Sequence, residues 1–360
     1  MRPLHAVKGF VERYQHQLSI GAFLVGFTID TIVLKRIDLL ISHVLILSYL
    51  SVVVVVMLLL HRAAARPPRF ELVRRVYQWL PFAAQFAFGG MFSGFLIFYS
   101  QAGSFIASWP FLLVLVALIL TNEYLRSYQW RLTYQSTLLF FCVFTFSIYA
   151  LPILMGRMGD GVFELSGVLA LVGVSGFLWL LYLVDGKRVR MSLSSIVTGV
   201  LIVYASVTAL YYSNILPPIP LALKDIGVYH RVVKLNDQYH VATESQPWHA
   251  RVSGVVVTSP EGGTLFAYSS VFAPTRLITS IVHRWEYYDT QRGLWVTAAT
   301  IPFSIFGGRD GGYRGYSEYG PVTPGEWRVS VETVRGQLIG RETFTVRSGS
   351  TPTLESRILR

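Results

Sequence analysis

Seven long apolar runs occupy the first 216 residues, and after them the pattern changes to short, alternating, turn-punctuated segments that continue to the C-terminus. A bilayer core about 30 Å thick is crossed by about 20 apolar residues at 1.5 Å each. The runs therefore read as seven transmembrane helices: Leu18–Leu34, Asp38–Leu60, Leu80–Ser100, Ser104–Thr121, Leu132–Met155, Val162–Val184 and Ser195–Leu216. Pro217-Pro218 stops the last, because neither residue can continue a helix. The fold class expected is an α-helical multipass membrane bundle followed by an all-β, sandwich-like extracytoplasmic domain. The expected divisions are a cytoplasmic segment at 1–17, the bundle at 18–216, a juxtamembrane neck at 217–250, a β-sandwich at 251–347 and a flexible tail at 348–360.

Composition bears on partners. Only 14% of residues are charged, against about a quarter in an average soluble domain. The net charge of +11 resolves into sixteen Lys/Arg against eight Asp/Glu up to Leu216 and fifteen against twelve beyond it. The basic excess thus belongs to the membrane half, where orientation in the bilayer explains it, and no module with base-stacking aromatics accompanies it. Nucleic acid is excluded as an expected partner, and the lipid bilayer is the expected one. With the N-terminus in the cytoplasm, that side receives thirteen Lys/Arg, against Lys35, Arg36 and Arg157 in the opposite short loops. By the positive-inside rule this bias and an odd number of spans export the C-terminal domain. Arg2, Lys8 and Arg13 precede a first span without an Ala-x-Ala-like cleavage site, so that span is expected to act as an uncleaved anchor. A single cysteine, Cys142, allows no disulfide within one chain.

Inside the spans, Gly90-x-x-x-Gly94 and the glycines of the sixth run mark faces where helix backbones can approach closely. Asp30 is the residue that most invites a role, since a carboxylate at membrane depth is costly. Its neighbours in sequence, Lys35, Arg36 and Asp38, offer the plainer alternative of an ion pair fixing the first hairpin, and Arg157, Asp160 and Glu164 could join the same rim. Asp30, Asp38 and Glu164 are the intramembrane polar candidates. The segment around Phe70, Val73, Tyr77 and Leu80, set among Arg69, Arg74 and Arg75, reads either as a helix on the inner leaflet or as a solvated loop.

Beyond Pro218, Val232, Val233 and Leu235 precede Asn236-Asp237, and Tyr239 and Val241 follow, which is a hairpin pattern. Strands are expected at Arg251–Thr258, Thr264–Phe272, Arg276–Tyr288, Leu294–Phe303, Trp327–Val334 and Leu338–Val346. Trp327, Val329 and Val331 alternate with Arg328, Ser330 and Glu332, the period of a half-buried strand. The same period sends His283, Trp285 and Tyr287 to one face and Arg284, Glu286 and Tyr288 to the other. Between Phe306 and Gly325, glycines alternate with Arg309, Asp310, Tyr313, Arg314, Tyr316, Glu318 and Tyr319. Tyrosines on a glycine-rich loop supply adaptable contact area, although the same residues could simply close the end of the sandwich. The candidate ligand-binding residues are therefore Arg309, Asp310, Tyr313, Arg314, Tyr316, Tyr319, Arg284 and Glu286.

Signatures of catalysis are missing. Gly307 to Gly312 lacks the Lys-Ser/Thr of a phosphate loop, and neither Gly-x-Ser-x-Gly nor His-Glu-x-x-His occurs. His230, His240 and His249 are loosely spaced and read as ordinary surface histidines, with a metal site the less favoured alternative, so no metal, cofactor or catalytic residue is assigned.

Gly26-Phe27-Thr28-Ile29-Asp30, Lys35-Arg36-Ile37-Asp38, His283-Arg284-Trp285, Tyr313-Arg314-Gly315-Tyr316-Ser317, Gly325-Glu326-Trp327-Arg328-Val329 and Gly336-Gln337-Leu338-Ile339-Gly340-Arg341 together resemble bacterial membrane proteins that carry domain of unknown function 2914. The resemblance implies a bacterial cell-envelope protein and supplies no activity to carry over. The functional expectation is an inner-membrane protein whose exported β domain binds or organises an envelope component, whether glycan, peptide or partner protein. The rival expectation is a transporter or membrane enzyme built on Asp30 and the outer carboxylates.

Overall fold

The computed structural model describes residues 27–28, 30–34, 36–66, 70, 76–77, 79–102, 104–124, 131–236, 238–244, 255–260, 262–308, 311–350 and 353–359. The chain forms two compact units, one made mostly of helices and one mostly of strands.

The helices are α1 (Leu40–Ala65), α2 (Leu80–Gln101), α3 (Phe105–Tyr124), α4 (Leu132–Met155) and α5 (Asp160–Tyr212). Each lies on one apolar run or, for α5, on two, and α1 and α4 end at residues that cannot continue a helix or that favour its termination. Pro67-Pro68 follows α1, and beyond α4 Gly156 takes the left-handed φ of +67° as its N–H bonds back to the carbonyl of Pro152. Among the described residues four helices, α1, α2, α4 and α5, are long and apolar enough to cross a membrane, and α3 contributes a shorter apolar stretch, Ala107–Thr121.

This corrects the count of seven spans. The first expected span lies largely outside the described residues, and the sixth and seventh are arms of one element, α5, broken only at Asp185, where φ is −143° and ψ is 69°. At 53 residues a straight α5 would run about 80 Å. Instead the arms double back: Gly167 faces the Tyr204 ring, and Arg190 donates to the Tyr182 hydroxyl at 2.6 Å, each pair joining one arm to the other across Asp185. A Cβ at Gly167 would come within 2.7 Å of that ring, so the close approach depends on glycine. Gly90 and Gly94 serve the same purpose on α2, meeting Tyr49 and Ile46 of α1.

Among the described residues the β-rich unit has the strands β1 (Ala222–Tyr229), β2 (Arg231–Leu235), β3 (Gln238–Glu244), β4 (Val255–Ser259), β5 (Leu265–Phe272), β6 (Ile278–Asp289), β7 (Leu294–Phe306), β8 (Tyr313–Tyr319), β9 (Gly325–Thr333), β10 (Leu338–Ser348) and β11 (Leu354–Leu359). They make a five-stranded sheet in the order β4-β10-β9-β6-β7 and two three-stranded sheets, β1-β5-β8 and β11-β3-β2. The five-stranded sheet and β1-β5-β8 face each other over a core of Trp285, Trp327, Val329, Phe344, Leu265 and Ala267, extended by Val271, Ile281, Ile305 and Val331. The expected alternation along β6 and β9 is what fills it.

Three features depart from the sequence reading. The stretch 306–325, read as a loop, contains β8, antiparallel to β5 from Leu265↔Tyr319 to Val271↔Tyr313. Its inward set is Tyr313, Gly315, Ser317 and Tyr319, and the small central pair hid the period of two. Gly315 is required there, because a Cβ would lie 2.5 Å from the Phe303 ring. The segment 217–250, read as a neck, contributes β1 as a partner of β5 as well as the anticipated β2–β3 hairpin, which turns at Asn236 with φ +47°. Finally, 348–360, read as a flexible tail, supplies β11, paired with β3. The hairpin and β11 form a third layer, with Tyr239 packed edge-on to Tyr268 at 5.3 Å among Val232, Val241 and Leu359.

Candidate functional site on the five-stranded sheet

Strand β6 lies between β9 and β7, so its side chains have neighbours on both sides. On the inner face His283 is fully buried. Its Nε2 lies 2.7 Å from the hydroxyl of Ser269 on β5, and its Nδ1 lies 2.8 Å from the hydroxyl of Ser317 on β8. The indole N–H of Trp285 donates to the same Ser317 oxygen at 3.0 Å. Counting protons orients the chain. Trp285 donates to Ser317, Ser317 donates to Nδ1, and the Nε2–H of a neutral imidazole donates to Ser269. A second proton on the ring would force Ser317 to accept twice and strand its own hydrogen. Burial also disfavours the cation and pushes the His283 pKa down to about 4. With Phe303 edge-on at 4.7 Å, this group is closed off and bridges the two sheets. Its serines and imidazole form no nucleophile open to a substrate.

The outer face carries charge. Arg328 on β9 binds Glu286 on β6 through two hydrogen bonds, Nε to Oε2 at 2.6 Å and Nη2 to Oε1 at 3.0 Å, the bidentate geometry a planar guanidinium favours. Glu286 and Arg328 are directly opposed in register, as are Arg284 and Ser330, and Arg284 reaches diagonally to pair with Glu332. On the next strand, Arg341 donates from Nε to the Ser330 hydroxyl at 2.8 Å. The carboxylates sit beneath the arginines, Glu286 at 5% and Glu332 at 4% exposure. Burial raises the pKa of Glu332 against the pull of Arg284, and burial lowers that of Arg341, with Arg328 and Arg284 repelling it and the two glutamates opposing that shift. Trp295 of β7 flanks the array, its ring 4.4 Å from the Arg328 guanidinium and 5.3 Å from Tyr288.

The array holds three guanidiniums and two carboxylates, and Arg341 is the odd cation. Among the described residues no carboxylate lies within ion-pair distance of it, and its Nη groups still carry donors. Cations fixed in this way can bind a group bearing oxyanions or hydroxyls, with little side-chain ordering left to occur on binding.

The sequence candidates are dispersed. Arg284 and Glu286 belong to this face. Arg314 and Tyr316 lie on the outward side of β8, in the other sheet, where the Tyr239 hydroxyl donates to the Arg314 carbonyl at 3.0 Å and Tyr316 meets Tyr239 and Phe266. Tyr313 and Tyr319 point inward. Tyr319 stacks near Trp285 and Trp327, so these two tyrosines close the core. Arg309 and Asp310 lie outside the described residues. In the helical unit, Asp30 is buried next to Ser93, Asp38 takes up Arg36 at 2.7 Å, and Glu164 is exposed on α5, three different surroundings. The ion pair anticipated near Asp30 thus joins Arg36 to Asp38. Sequence reasoning missed Arg328, Glu332, Arg341 and Trp295 as members of one site. The alternation of Arg328, Ser330 and Glu332 was visible, but the register that aligns it with Arg284 and Glu286 was not.

Residues 278–346 match the family described as Protein of unknown function (DUF2914), and a DUF2914 domain is found there. The matched segment contains every residue of the charged face. No curated protein matches the chain. Among solved structures, the chain is similar to an immunoglobulin-like protein from Pseudomonas aeruginosa, at 14% identity and TM-score 0.20 over 34% of this chain and 97% of that one. It is also similar to the Pseudomonas fluorescens alkylpurine DNA glycosylase AlkC bound to DNA containing an abasic site analog, at 10% identity and TM-score 0.20 over 85% of this chain and 99% of that one. At that score neither likeness bears on fold or activity.

Proposed function

We propose that this is a multipass protein of the bacterial inner membrane whose β-rich unit lies in the periplasm and binds an envelope component, a glycan, peptide or partner protein that presents carboxylate or similar oxygen acceptors. The observation carrying this reading is the outer face of the five-stranded sheet, where Arg284, Arg328 and Arg341 are held in place by Glu332, Glu286 and Ser330 with one cation in excess, Arg328 lying over Trp295. Sidedness rests on the thirteen-to-three distribution of basic residues and on connectivity. The basic residues cluster beyond the ends of α1, α3 and α5's break, and the second arm of α5 leads away from them into β1. Alkaline phosphatase fused after Arg360 is expected to be active in a bacterial host; activity restricted to a cytoplasmic reporter would overturn the sidedness.

Binding is tested by a photo-crosslinking amino acid placed at Thr343, an exposed position directly opposite Arg328. Discrete adducts are expected from Thr343 and none from the exposed control position Val334, and identical behaviour at the two positions would count against a site. The alternative, transport through Asp30, draws on the burial of that carboxylate. One cavity of the helical unit, between α3, α4 and the second arm of α5, does not include Asp30, and its lining is apolar apart from three hydroxyls.

A further inference from the structure

That cavity points to something other than transport. It has a volume of about 320 Å³ and lies between α3, α4 and the second arm of α5. Phe111, Leu138, Phe141 and Val207 form its buried floor, while Val114 and Ile202 on its rim are exposed. The rim merges with other exposed apolar residues of the same helices, such as Leu113 and Leu201, so the opening faces whatever bathes those helix surfaces. For helices in a bilayer that medium is hydrocarbon.

Two further observations narrow the occupant. The lining runs from Tyr134 to Phe141 along α4 and from Ile202 to Leu210 along α5; because Gly199 lies against Thr137 and Tyr204 stacks on Phe144, the second stretch continues further along the bundle, and together they extend about 20 Å at 1.5 Å per residue. At roughly 30 Å³ for a water-sized group, the volume holds about ten chain carbons. Moreover, two polar atoms of the lining, Tyr134 Oη and Thr137 Oγ1, are buried without a hydrogen-bond partner among the described residues. Both lie in the first two turns of α4, the helix end next to the basic segment around Arg126 and Arg131. A buried hydroxyl without a partner is costly, and a ligand carbonyl entering at that depth offers an acceptor for such a group.

We propose that the crevice is a binding site for one acyl chain of a bilayer lipid in the leaflet at the basic helix ends, with the ester carbonyl accepting hydrogen bonds from Tyr134 and Thr137 and the chain lying along Phe111, Phe141 and Val207. The proposal rests on the bundle lying in a bilayer, so the test must separate the two.

The full chain is placed in nanodiscs containing phosphatidylethanolamine with a diazirine on an ester-linked acyl chain, irradiated and mapped by peptide mass spectrometry. Labelling at 134–141 and 202–210 should exceed severalfold that at the exposed helix face bearing Val172 and Trp179. Val203→Trp, which fills the crevice, should lower the first signal and spare the second; Ser206→Phe is the companion variant should Val203→Trp misfold. An ether-linked probe, which lacks the carbonyl, should label the crevice less than the ester-linked one, and combining Tyr134→Phe with Thr137→Val should erase that difference. Equal labelling around the bundle, or crevice labelling that survives filling, would mean surrounding lipid only and would overturn the site while leaving the membrane reading intact. Labelling of neither region would overturn both.

Discussion

The two faces of β6 use polar residues in opposite ways. Inward, His283 and Trp285 enter a neutral hydrogen-bonded chain with Ser269 and Ser317, closed to solvent. Outward, Arg284 and Glu286 enter an ionic array whose cations are only partly covered. One residue of register separates the two chemistries. A buried polar group is tolerated where every donor and acceptor is matched, and His283 meets this condition by staying neutral. A charged array is tolerated where water still reaches it, which is also where a ligand could reach it. The inner face should therefore set stability and the outer face recognition.

The largest stability effect is expected at the core. Trp327 is buried, and its indole N–H donates to the Thr323 carbonyl at 2.7 Å. Trp327→Ala should cost about 3 to 5 kcal/mol, measured by thermal melting of the β-rich unit in the full chain. A loss no larger than that of Arg341→Ala, which removes one hydrogen bond to Ser330 and should cost about 1 kcal/mol, would break the distinction between the faces.

The His283 chain makes a pH prediction of similar size. Its folded pKa of about 4 lies below the ordinary 6.5, so the fold favours the neutral ring. Stability from this group is complete above pH 6.5 and is lost as pH falls from there towards 4, by about 3 kcal/mol in total. His283→Gln keeps a donor and an acceptor but does not titrate, and should flatten the slope in that window. An unchanged slope would mean that His283 is not held neutral by the fold. Because the raised carboxyl of Glu332 acts in the opposite sense, the difference between the two curves is the quantity to read.

Glu286→Gln sharpens the outer face. It leaves Arg328 without its bidentate partner and should cost about 1 to 3 kcal/mol, less than Trp327→Ala. The smallest contrast separates the tyrosines of β8. Tyr319→Ala should cost about 2 kcal/mol because its ring lies against both core tryptophans, and Tyr316→Ala only a few tenths because its ring is exposed. Equal costs would mean that β8 does not alternate as described.

Much of the architecture was legible in the sequence, because apolar length and period-two alternation are local properties. The helices, the turn at Asn236 and the faces of β6 and β9 all follow from neighbours a few residues apart. The other features depend on distant partners. Ser269 and Ser317 lie 14 and 34 residues from His283, and Glu332 lies 48 from Arg284. No spacing in the sequence links such groups. The glycines between Phe306 and Gly325 suggested a loop because a strand may use glycine to admit a neighbouring ring, as Gly315 admits Phe303, and that reason is visible only after packing. The sheet formed by β11 with β3 was hidden similarly, since the charged, short C-terminal segment has no core-facing run of its own.

The central claim is that the outer face recognises an envelope component independently of the inner face. It is tested most directly by comparing, in living cells, photo-crosslinking from Thr343 in the unaltered background with that in the Arg341→Ala and Trp295→Ala backgrounds, each paired with a melting curve. The adducts are expected to disappear from both variants while the β-rich unit stays folded, each variant losing less stability than Trp327→Ala. Adducts that persist at full yield in both variants, with the β-rich unit still folded, would contradict it.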